Sequence, residues 1–147
     1  SSTELQIQVD ACLARRLLYA GDHETALRLA LGAAEACGGR LVASRIEARA
    51  LESLAFVSWR PAQLSARNAA ARQMLDAALR DDDLETVLDA QGLLCMVLCE
   101  GGDLQAAESL MADVERLHRT ERWLSPWRRW MFLLSQGTMA QLKGRFA

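Results

Sequence analysis

Four groups of side chains in this sequence have the types and spacing that chemistry needs. Cys95 and Cys99, with Met96 close by, are soft-metal ligand types one helical turn apart. Asp81, Asp82, Asp83 and Glu85 form a carboxylate run of the kind that attracts divalent cations. Arg122, Trp123, Trp127, Arg128, Arg129 and Trp130 interleave guanidinium groups with rings, a pairing on which nucleobases stack. Arg45, Arg49 and Glu52 make a polar stripe on an otherwise apolar segment, and Arg15 holds a comparable place earlier in the chain.

Each group also has a plainer reading. Two thiols with no second pair and no neighbouring His fall short of a metal set. The acids open a helix, where they complement its dipole, and they lack a glycine-containing calcium loop. Trp127, Trp130, Met131 and Leu134 recur at core spacing on one helix with the arginines flanking, and Trp59 likewise reads as core. The Arg45, Arg49 and Glu52 stripe is either a binding surface or a solvated face with i,i+3 ion pairing. His23 and His118 stand near helix ends and read as capping or surface residues. No phosphate loop, GxGxxG, HExxH, GxSxG or CxxC motif is present. The sequence therefore predicts no enzyme activity, no cofactor and no metal. Its candidate partner or ligand surface is Arg15, Arg45, Arg49, Glu52, Trp127 and Trp130.

The elements that must position these residues are helices. The 147 residues include 25 Ala and 25 Leu against two Pro, nine Gly and one Tyr. That composition favours helix throughout, and no window alternates with period two as a strand would. Periodicity and breakers predict seven helices. The first runs from Thr3 to Ala20, the second follows Asp22 as N-cap and ends at Cys37, and the third spans Leu41 to Ser58. The fourth opens on Pro61 and reaches Arg80. Asp82, with Glu85 three residues on, reads as a capping box for the fifth, which ends at Cys99. Asp103 caps the sixth, to about His118, and Ser125 with Pro126 opens the seventh, to Lys143.

The tight turns at Gly21-Asp22, Arg60-Pro61, Gly102-Asp103 and Gly144-Arg145 lie 39, 42 and 42 residues apart. A period near 40 built of two antiparallel helices is the signature of an α-solenoid. Small residues flank the turns at fixed offsets: Ala14, Ala26 and Ala33 around Gly21, and Cys95, Ala107 and Val114 around Gly102. This resembles the tetratricopeptide pattern, in which small residues let paired helices approach closely. The unit centred on Arg60 departs from it. The expected fold is an all-α, tetratricopeptide-like solenoid of antiparallel hairpins, a single domain over 1–147. Helices one and two, three and four, and five and six would pair, with the seventh stacking on the last pair.

Three blocks between Trp59 and Ala147 carry a more particular resemblance. They are Arg80-Asp81-Asp82-Asp83-Leu84-Glu85, then Leu98-Cys99-Glu100-Gly101-Gly102-Asp103-Leu104-Gln105-Ala106-Ala107, and Pro126-Trp127-Arg128-Arg129-Trp130 with Gly144-Arg145-Phe146-Ala147. They resemble the C-terminal helical repeats of large bacterial STAND-type ATPases, the MalT-like regulators with LuxR-type output domains and related adenylate cyclases. The resemblance implies a non-catalytic regulatory segment that binds a protein partner, either other domains of the same regulator or itself, or a small effector in an apolar pocket.

The net charge of −2 gives none of the basic excess of a free-standing nucleic-acid binder. The polar N-terminus is no signal peptide, and the longest apolar run, Leu93 to Cys99, is too short to span a bilayer. All four cysteines read as reduced core thiols, which fits a cytoplasmic protein with no membrane association. The chain reads as a piece of a larger protein, halting after a repeat turn. The apolar seventh helix would then be left uncovered, and the piece is expected to form a homodimer through it.

Overall fold

The computed structural model describes residues 2–38, 42–80, 83–120 and 126–144. Seven α-helices lie among them: α1 (Ser2–Ala20), α2 (His23–Cys37), α3 (Ser44–Val57), α4 (Leu64–Arg80), α5 (Leu84–Glu100), α6 (Leu104–Thr120) and α7 (Pro126–Leu142). A 3-10 turn, Pro61–Gln63, leads into α4, and the described residues contain no strand. The chain is all-α, as its composition predicts. It divides into two compact units, Ser1–Ala90 and Gln91–Ala147, with the boundary inside α5.

Two of the turns share one construction. After α1, the amide of Gly21 bonds the carbonyl of Leu18 at 3.1 Å and that of Asp22 bonds Leu17 at 3.0 Å. After α5, Gly102 bonds Cys99 at 3.1 Å and Asp103 bonds Leu98 at 2.9 Å. This crossed pair of bonds needs a left-handed residue at the turn, and the glycines supply it with φ of 89° and 81°. In each case the next residue reverses role. The Asp22 carboxylate accepts from the Thr25 amide, and that of Asp103 from the Ala106 amide, both at 3.1 Å. One Gly-Asp pair thus closes a helix and caps its successor within two residues.

The small residues at fixed offsets from these glycines are buried. In the first unit Ala14, Ala26 and Ala30 pack together with Val57, and Ala33 joins Ile7, Ala11, Cys37 and Ala50. Helices α1 and α2 pair, α3 and α4 pair, and α3 packs on both α1 and α2. In the second unit Ala107 has no exposed surface, and the Cys95 thiol points at its carbonyl, which places α5 against α6 there.

The third turn is built differently. Where a glycine is missing, Arg67 from α4 reaches back with no exposed surface. Its guanidinium donates to the carbonyl of Ser58 at 2.8 Å and to that of Arg60 at 3.3 Å. These carbonyls follow the negative end of the α3 dipole, where a cation is favoured. The guanidinium also sits 4.7 Å from the centroid of the Trp59 ring, which stacks on Phe56. Trp59 is 42% exposed, so it is a lid on Arg67 and not the core residue its type predicts.

Other expectations shift. Helix α3 begins at Ser44 with Ala43 as its N-cap, and the Ala43 amide donates to Glu4 Oε1 of α1; Leu41, the expected start, lies outside the described residues. Pro61 opens a 3-10 turn, and the α-helix starts at Leu64. Asp82 lies outside the described residues. Asp83 caps α5, accepting from the Thr86 amide at 3.3 Å and its hydroxyl at 2.6 Å. Of the cysteines, Cys37 and Cys95 are buried, Cys99 is partly so, and Cys12 is exposed. Burial, with Cys99 adding to it, pushes the Cys95 thiol up to about 12.

Arg67→Met keeps much of the side-chain volume and leaves the buried Ser58 carbonyl and the partly buried Arg60 carbonyl without their charged donor. We expect it to cost about 2–4 kcal/mol, read as a lowered urea midpoint.

Candidate functional site

Helices α1 and α3 lie side by side in the first unit, and a cleft of about 480 Å³ runs between them. Gln8, Ala11, Cys12 and Arg15 line it from α1, spaced three, one and three residues apart along one face. Arg45, Ile46, Arg49, Glu52 and Ser53 line it from α3 with the same periodicity. Ala11 and Ile46 leave the floor apolar and the walls low, while the charged heads stand at the rim.

Glu52 organises the charges. Its side chain is only 12% exposed and accepts from Arg15 at 3.3 Å and from Arg49 at 3.0 Å. Arg15 is held on its other side by the Phe56 ring, 4.8 Å from the guanidinium carbon. Arg49 extends to Asp89 at 3.9 Å, and Arg45 to Asp83 at 4.0 Å. Burial opposes the charge on Arg49, but the hydrogen bond and charge of Glu52, with Asp89 and Asp83 behind, hold it protonated above the ordinary arginine range. The hydrogen bonds from Thr86 hold the Asp83 carboxyl below the usual carboxylate range despite some burial, with Arg45 assisting.

The cleft lining carries three arginines and one glutamate, a local excess of two positive charges on a chain whose net charge is −2. Asp83 and Asp89 compensate this excess from the flanks through the two longest contacts. Arg45, whose side chain is 69% exposed, is the arm freest to leave its partner for an incoming anion.

The structure therefore brings Arg15, Arg45, Arg49 and Glu52 to one site. Trp130 belongs to the second unit, and the side chain of Trp127 lies outside the described residues. Trp130 and Leu134 were expected at core positions of α7, but they are 51% and 50% exposed. Arg122, Trp123 and the side chains of Arg128, Met131 and His118 also lie outside the described residues. Gln8, Cys12 and Phe56 were not picked out from sequence, although Gln8 and Cys12 share the helical face of Arg15. Asp83 stood out only as part of the acidic run and Asp89 not at all, since their pairing with α3 joins separate elements. Among the described residues no three His, Cys, Asp or Glu side chains gather as a metal set, and no helix is long and apolar enough to cross a membrane.

No family model matches this chain, and neither does any curated protein or solved structure.

Replacing Glu52 by Gln removes the carboxylate that holds two arginines together. We expect a loss of about 1 kcal/mol in low salt, because the arginines are partly solvated. The difference should shrink when chemical denaturation is repeated in high salt.

Proposed function

We propose that this chain is a non-catalytic helical-repeat segment of a bacterial transcriptional regulator or signalling protein. In this reading its hairpins stack as a tetratricopeptide-like solenoid, and the α1–α3 cleft binds an acidic, partly apolar segment of a protein partner. The observation that carries the reading is the rim of Arg15, Arg45 and Arg49 over an apolar floor. Arginine forks match carboxylates in a bidentate manner, and the floor accepts the aliphatic stems between them. The recurrence of the Gly-Asp turn 81 residues apart supports the repeat architecture. The block resemblance noted from sequence supports the regulatory setting.

A small carboxylate effector would satisfy the same arginines, and the cleft volume falls in the range of small-ligand sites, about 300–1,000 Å³. Titrating the protein with an acidic peptide, its Lys-substituted counterpart and a free dicarboxylate separates these readings. The acidic peptide should bind, weaken with salt, and lose affinity in Arg45→Glu/Arg49→Glu. Glu52→Gln should tighten it while lowering stability, since two guanidinium groups are released. Tighter binding of the dicarboxylate than of the peptide would favour the effector, and binding of neither would overturn the site.

Self-association through α7 belongs to the same reading. Trp130, Leu133 and Leu134 are each at least half exposed and share one face of that helix at i, i+3 and i+4, an apolar patch of the kind that marks contacts. Sedimentation at micromolar concentration should give a dimer of the 16.2 kDa chain, and Leu133→Glu/Leu134→Glu should return it to monomer.

A further inference from the structure

The two thiols one turn apart on α5 acquire a third sulfur that is remote in sequence. The Cys99 Sγ lies 3.1 Å from the Sδ of Met139 on α7, and Cys95 stands one turn before Cys99 on the same helix, α5. Cys95 and Met139 are 4% and 7% exposed and Cys99 is partly buried, so the sulfurs lie at the edge of the second unit's core. Met96, the thioether nearest in sequence, is 38% exposed; Met139 is the one that meets the thiols.

We propose that Cys95, Cys99 and Met139 form a three-sulfur site for Cu(I). Thiolate and thioether donors select a soft ion, while calcium and magnesium need oxygen ligands. Structural zinc takes four ligands, drawn from thiolate, imidazole and carboxylate, and a thioether is not among them. Three sulfurs around one ion at about 2.3 Å stand about 4 Å apart. The Cys99–Met139 pair reaches that spacing by a small rotation of the unbranched Met side chain. Coordination replaces the two S–H protons, which pass to solvent, and the oxidation state of the ion does not change.

The site also has a way in. A cleft of about 280 Å³ is lined from α6 by Met111 and from α7 by Met139. Met139 thus lies both beside Cys99 and on this cleft, whose other lining includes Glu108, Glu115, Gln136 and Lys143. A role as core filler accounts for two small thiols on α5, but not for a thioether 3.1 Å from one of them that also lines an open cleft.

The test uses the full chain, reduced and anaerobic, titrated with Cu(I) buffered by bicinchoninate. One equivalent should pass from the chelator to the protein. Cys95→Ser and Cys99→Ser should each weaken binding by more than about tenfold. Met139→Leu conserves volume and should preserve the fold by circular dichroism, yet weaken binding measurably. Cys12→Ser/Cys37→Ser should bind as the parent does. X-ray absorption of the loaded protein should show a shell of three sulfurs. Failure to take Cu(I) from the chelator, parental affinity in both Cys99→Ser and Met139→Leu, or nitrogen or oxygen in the shell would each overturn the proposal.

Discussion

Every hairpin in this chain has to reverse direction within a few residues without stranding the backbone groups at the two helix ends. Helix termini leave their last carbonyls and first amides unpaired, and burying them so is costly. The Gly-Asp turns meet the requirement locally. Left-handed glycine folds two amides back onto the outgoing carbonyls, and aspartate then accepts from the incoming helix. The α3–α4 connection has no glycine, and the same requirement is met at a distance by the buried Arg67 guanidinium on the carbonyls of Ser58 and Arg60. A local solution needs two adjacent residues; the remote one needs an arginine, a ring lid and a dry place to put them.

Short turns force close packing, and close packing accounts for the alanines. Ala14, Ala26, Ala30 and Ala107 have no exposed surface, and a larger side chain at any of them would push paired helices apart. Close approach also shapes the cleft. Where α1 meets α3 the small Ala11 lowers the floor, while the long arginines on the flanking turns stand as the rim. The cleft is thus a by-product of how tightly the first unit packs.

The charges of that rim are held by one another more than by the solvent. Glu52 is sufficiently buried to fix Arg15 and Arg49, whereas Arg45 hangs on a contact of 4.0 Å. Fixed and loose arms in one site give a pre-ordered half and an adaptable half. The second unit brings a different chemistry together, with the sulfurs of Cys99 on α5 and Met139 on α7 meeting across helices.

Much of this was legible in the residue order, because helix periodicity and turn chemistry are local. Seven helices, the Gly-Asp turns, the buried small residues and the polar stripe of Arg45, Arg49 and Glu52 all follow from spacings of three, four and seven residues. The helix starts were less legible: the Ala43 amide before Ser44 bonds the distant Glu4, and a 3-10 turn from Pro61 precedes Leu64. What only the tertiary structure decided joins residues far apart in the chain. Arg15 and Glu52 are 37 positions apart, and Cys99 and Met139 are 40 apart. Trp59 and Trp130 have the composition of core residues, yet stand half exposed, because burial depends on which neighbour covers a face and no local pattern encodes the neighbour.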